Sequence, residues 1–221
     1  MTILEKNSIV EELEAIKQLR LENLLWQRHS EFIDVMYIYF GLKERPSNIP
    51  INFGDIKEEG LIYTQESQNN WRIKINRKFM EEPLDKNVGV ELLTPHETAH
   101  YLHVLRQPEF YTKTYKEFSE REQRHVERVA ELATLVFLDE SGRGGAEQYW
   151  QLNWRSAGKP TENGRPYWGN VPKTAVCTWI SNMDNLKLAR ERLKLMTSLT
   201  RSEFELVNDH DILHKIVLFN R

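Results

Sequence analysis

Five residues, His96-Glu97-Thr98-Ala99-His100, set the tightest constraint on how this chain can fold. Two histidines four apart share a face only if the segment is helical. Each can then turn a ring nitrogen toward one metal ion, and a catalytic ion requires a third protein ligand from elsewhere. Glu97 follows His96 by about 100° of helical rotation, near enough to reach a water at the metal without ligating the ion. A surface helix with two histidines on one side is the plainer alternative. Leu92, Leu93, Ala99, Leu102 and Val104 around the motif favour a half-buried helix.

This residue set suits hydrolysis. Zinc lowers the pKa of its water and polarises a scissile carbonyl. A carboxylate such as Glu97 takes the proton from that water and delivers it to the leaving amine. Candidates for the third ligand are Glu127, Glu131, His125, Glu122 and His103. Glu127 and Glu131 stand four apart on a long helical segment that follows a short linker with Pro108. Glu127 is expected to ligate, and Glu131 to accept a hydrogen bond from the outer nitrogen of a ligand histidine. A donor for transition-state charge is also needed, and Tyr111, His125, Tyr149 and Tyr167 are open choices. A competing local reading pairs Thr94 with Glu97 in a capping box, with Pro95 at the first helical position.

The remaining elements follow from periodicity and punctuation. Residues 8 to 41 predict a long helix or helix pair, with Ile9, Leu13, Ile16, Leu19 and Leu24 at helical spacing, a start near Ser8 and a stop at Gly41. Residues 44 to 60 read as loop with a short strand at most. Leu61 to Thr64 and Trp71 to Asn76 predict an antiparallel hairpin, the second strand placing Arg72, Lys74 and Asn76 opposite an apolar face. That second strand is expected to lie along a cleft and pair with an extended peptide. Residues 88 to 106, 117 to 139 and 183 to 219 predict helices. Residues 146 to 180 are irregular, with Trp150, Trp154, Trp168 and Trp179, whose rings either anchor loops on the core or line a substrate cleft, and the segment is a candidate source of substrate specificity.

The fold class is therefore α+β, mostly helical, with a small antiparallel or mixed sheet beside the motif helix. Three segments are expected: a helical one over 1–45, a metallopeptidase core over 46–145, and a Trp-rich stretch with C-terminal helices over 146–221. Hydrophobic residues make up 40% of the 221, enough for a real core. The net charge of −3 offers no case for nucleic acid or anionic membrane as partner. One cysteine, Cys177, excludes an internal disulfide and four-thiolate zinc sites. With no leader or membrane span in view, the chain reads as cytoplasmic. His210 and His214 also stand four apart, and a solvated helix face accounts for them.

Ile73-Lys74-Ile75-Asn76, His96-Glu97-Thr98-Ala99-His100 and Glu127-Arg128-Val129-Ala130-Glu131 together resemble the ImmA/IrrE family of metallopeptidases, over about residues 60 to 139. That family shows a strand ending in Ile-x-Ile-Asn, an H-E-x-x-H helix and a downstream E-x-x-A-N helix. Here Glu131 stands where the family has Asn, Pro95 where it has a small residue, and His103 three residues after the second histidine rather than four. The resemblance implies a zincin fold, one zinc ion on His96, His100 and Glu127, and a protein substrate, often a helix-turn-helix repressor of a mobile element or stress regulon. The expected function is thus a zinc metallopeptidase acting on an intracellular protein or peptide. A non-catalytic regulatory or binding module on the same fold is the main alternative. A DNA-associated protease resembling the SprT/Spartan group is disfavoured by the missing basic patch.

Overall fold

The computed structural model describes residues 3–64, 70–82, 87–111, 117–142 and 186–206. These are mostly helical, with one three-stranded mixed sheet, an α+β arrangement. Cys177, the Trp-rich stretch, Tyr149, Tyr167, His210 and His214 lie outside the described residues. Among those described, no helix is long and apolar enough to cross a membrane. The chain divides into two units, Met1–Ile33 with Ser47–Thr98, and Asp34–Pro46 with Ala99–Arg221. Helices α1 (Ile3–Met36) and α2 (Thr94–Arg106) each run through that division.

In the first unit, α1 is one helix and begins five residues before Ser8, because Leu4-Glu5-Lys6 are good helix formers with no breaker among them. Its buried stripe differs from the expected one. Leu21, Leu25, Phe32 and Ile33 are buried, whereas Leu13, Ile16 and Leu19 are exposed. Apolar residues occur on more than one face of this helix, so spacing alone did not distinguish them. The sheet has the order β1-β3-β2, with β1 spanning Ile51–Gly54, β2 Gly60–Thr64 and β3 Trp71–Asn76. β1 runs parallel to β3, with Ile51 opposite Ile73, and β2 antiparallel, with Ile62 opposite Ile73. β3 is therefore the central strand, paired on both sides, and cannot offer the peptide-binding edge expected of it. Among the described residues the edges are β1 and β2. Ile73 and Ile75 point into the core, as the alternation predicted.

Asn76 then ties the sheet to the loop before β2. Its Nδ2 donates to the carbonyls of Ile56 (2.6 Å) and Glu58 (2.9 Å), and its Oδ1 accepts from the Lys78 amide of a following 3₁₀ turn. Asn87 plays the matching part before the motif helix. Its Nδ2 donates to the Phe79 carbonyl and its Oδ1 accepts from the Val90 amide.

Residues Gly89–Leu93 form a π-helical turn that continues directly into α2. Pro95 has no N–H for the Glu91 carbonyl, and its ring would crowd that carbonyl in a regular α-turn. The wider turn falls where that bond is missing. Thr94 has helical φ and ψ of −62° and −50°, and its amide and hydroxyl both donate to the Gly89 carbonyl. The competing capping-box reading therefore does not hold. Thr94 sits inside a continuous helix rather than ahead of one, and Glu97 is not an end-capping residue.

In the second unit, the chain leaves α1 through a turn closed by Gly41, whose φ of +69° is left-handed and suits glycine. Helix α3 (Glu120–Glu140) opens with a complete capping box. Ser119 accepts from the Glu122 amide, and Glu122 accepts from the Ser119 amide at 2.7 Å. From Val126 to Leu138 every apolar residue of α3 is buried. Helix α4 (Leu186–Ser198) packs against it. Arg190 bridges Asp139 at 2.8 Å and Glu140 at 2.7 Å, and Tyr39 donates to Glu140. The short α5 (Arg201–Leu206) brings Phe204 against Phe110.

Candidate metal centre

His96 and His100 lie one turn apart on α2, both almost fully buried. On α3, Glu127 is half-buried and places Oε1 3.8 Å from Nε2 of His100. One potential ligand atom from each of His96, His100 and Glu127 lies within 4.8 Å of the others. Four ligands at zinc-like bond lengths of about 2.0–2.1 Å stand about 3.4 Å apart, so the His100–Glu127 separation is a few tenths of an ångström too wide. Two imidazoles and one carboxylate are a suitable donor set for that ion. The three residues could hold one metal ion if their side chains draw together from separations of up to 4.8 Å.

Glu97 is buried, and the first β2 residue passes close by it. A Cβ on Gly60 would fall 2.5 Å from Glu97 Oε1 and 2.7 Å from its Cγ. The loop held by Asn76 delivers Gly60 to this place. The family-like Ile-x-Ile-Asn segment therefore has a local physical role, two residues from the start of β2.

The other third-ligand candidates have different occupations. Glu122 caps α3 and pairs with Arg201. His125 packs in an aromatic cluster, its ring 5.0 Å from that of Phe110 and 4.8 Å from that of Phe204. His103 contacts Tyr111 through Nδ1 at 2.9 Å and Gln107 through Nε2 at 2.5 Å. Burial, reinforced by the neighbouring His125, holds His103 well below the ordinary histidine pKa, outweighing the opposing effect of Gln107. Glu131 is buried one turn beyond Glu127. At Nδ1 of His100 stands the Tyr111 hydroxyl, 3.5 Å away. In the sequence Tyr111 reads only as a transition-state donor, His103 only as a ligand and Gly60 only as the end of a loop, and nothing there singles out Gln107. A small residue opening a strand near the motif was the available signal for Gly60.

Thr98, inside the motif, is also engaged. It contacts Nδ1 of His29 at 2.8 Å through its hydroxyl and donates that hydroxyl proton to the Thr94 carbonyl at 2.6 Å. His29 Nε2 accepts from the Ile49 amide. No family model, curated protein or solved structure matches the chain.

Proposed function

We propose that this protein is a zinc-dependent metallopeptidase of the gluzincin type, with a zincin-like fold and an ImmA/IrrE-like active centre, cutting an intracellular protein such as a transcriptional repressor. The observation that carries this reading is the convergence of His96, His100 and Glu127 within 4.8 Å, with Glu97 one residue along the same helix. These three residues would hold the zinc ion, which when bound would polarise the scissile carbonyl and acidify the attacking water. Glu97 would accept the proton of that water and hand it to the leaving amine. Its burial keeps bulk water from competing for that proton.

An extended peptide would run along β2, the edge strand that passes Glu97. Since the Asn76 amide donates to the Glu59 carbonyl, alternation turns the backbone groups of Leu61 and Tyr63 toward β3. Those of Gly60 and Ile62 face the open edge.

The deciding experiment compares wild type with Glu97→Gln. Each should carry about one zinc per chain, and the variant should lose turnover by about 10²–10⁴-fold on a protein the wild type cleaves. Equal cleavage by both would remove Glu97 from the mechanism. A zinc-loaded wild type that binds repressors without cutting them would favour the binding-module alternative.

A further inference from the structure

A run of hydrogen bonds leads away from His100, and its direction is fixed at the far end. The amide nitrogen of Gln107 donates to the backbone carbonyl of Leu199, a group that can only accept. Gln107 Oε1 therefore faces Nε2 of His103 as an acceptor, so that nitrogen carries the ring proton. In a neutral imidazole the other nitrogen is then an acceptor. His103 Nδ1 thus takes the Tyr111 hydroxyl proton across 2.9 Å. With its proton so used, the Tyr111 oxygen presents lone pairs to Nδ1 of His100, 3.5 Å away.

We propose that Leu199, Gln107, His103 and Tyr111 form a one-way proton chain that sets the tautomer of His100. The chain holds the proton on Nδ1 and leaves the Nε2 lone pair facing Glu127, 3.8 Å away, ready to bind metal. Tyr111, His103 and Gln107 are positioning residues. Tyr111 serves His100 from the side away from Glu127, and its proton is committed to His103 rather than to a transition state. The inference rests on the metallopeptidase reading for its purpose, but the tautomer can be measured without metal or substrate.

The test uses full-length, ¹⁵N-labelled, metal-free protein at a pH where the rings are neutral. Long-range ¹H–¹⁵N correlation then shows which nitrogen of each ring is protonated. The chain requires His100 protonated at Nδ1 and His103 at Nε2. In Tyr111→Phe, His100 should lose its single tautomer, and zinc affinity, measured by chelator competition, should fall about 10–100-fold. In Gln107→Met, which keeps the shape but lacks the acceptor, His103 should lose its Nε2–H preference and His100 should follow. Thermal unfolding of each variant identifies any that fail to fold, and the wild-type tautomers decide the matter even then. A wild-type His100 protonated at Nε2, or an unchanged His100 tautomer in folded Tyr111→Phe, overturns the chain. Failure of wild type to bind zinc at all, with the expected tautomers present, would overturn the metallopeptidase reading and leave the chain standing.

Discussion

Gly60 and Glu97 are packed so closely that a single added methyl on the glycine would overlap the carboxylate, at 2.5 Å from Oε1. Gly60→Ala should therefore displace Glu97 without touching a proposed ligand. The expected result is near-normal zinc content with turnover reduced by about 10²-fold, the scale of a misplacement of about 1 Å at a reacting group. Zinc loss equal to that of a ligand variant would show that the glycine serves the whole centre rather than Glu97.

The two carboxylates of α3 should separate in a zinc titration. Glu127→Ala removes the oxygen that stands 3.8 Å from His100 Nε2, leaves two protein ligands and should abolish tight binding. Glu131→Ala removes a buried supporting group and should weaken binding by about 10–100-fold. Reversed effects, read by chelator competition, would move the ligand assignment to Glu131.

The open edge of β2 predicts a backbone effect. Ile62→Pro deletes one outward N–H while sparing the ladder bonds to β3, a substitution that edge strands tolerate. It should lower kcat/KM for an extended substrate by about 2–13-fold, the value of a peptide hydrogen bond of about 0.5–1.5 kcal/mol. Leu61→Pro, on the inward register, should instead lower the unfolding temperature. If cleavage by Ile62→Pro matched wild type, the peptide would have to lie elsewhere.

How much of this was legible beforehand differs by element. His96, Glu97 and His100 were readable because helical spacing alone puts them together. Glu127 was readable because a long apolar-faced helix had to present something to them. The central position of β3 was not readable. Its alternation revealed two faces, but a four-residue parallel partner, Ile51–Gly54, leaves almost no periodic signal among Pro50 and Gly54. The π turn was equally hidden. Pro95 after Thr94 fits a helix start by every local rule, and only the continuity of Gly89–Leu93 with α2 overrules it.

Thr98 shows the same limit within the motif, since the H-E-x-x-H pattern leaves its position unspecified. Because the Ile49 amide donates to Nε2 of His29, the neutral ring must carry its proton on Nδ1, which donates to the Thr98 hydroxyl. The hydroxyl in turn donates to the Thr94 carbonyl. All of these side-chain groups are buried, so a missing partner cannot be replaced cheaply by water. Thr98→Val keeps the shape and removes the hydroxyl that accepts from the His29 Nδ1–H. The cost should be about 1–3 kcal/mol, seen as a lower urea midpoint at unchanged slope. Thr98→Ser retains both hydrogen bonds and gives up only a methyl, so it should lose about 1 kcal/mol. Zinc affinity should change little in either variant, since the ligands themselves are untouched. A Thr98→Val protein as stable as Thr98→Ser would mean that the contact with His29 contributes nothing to holding the motif helix.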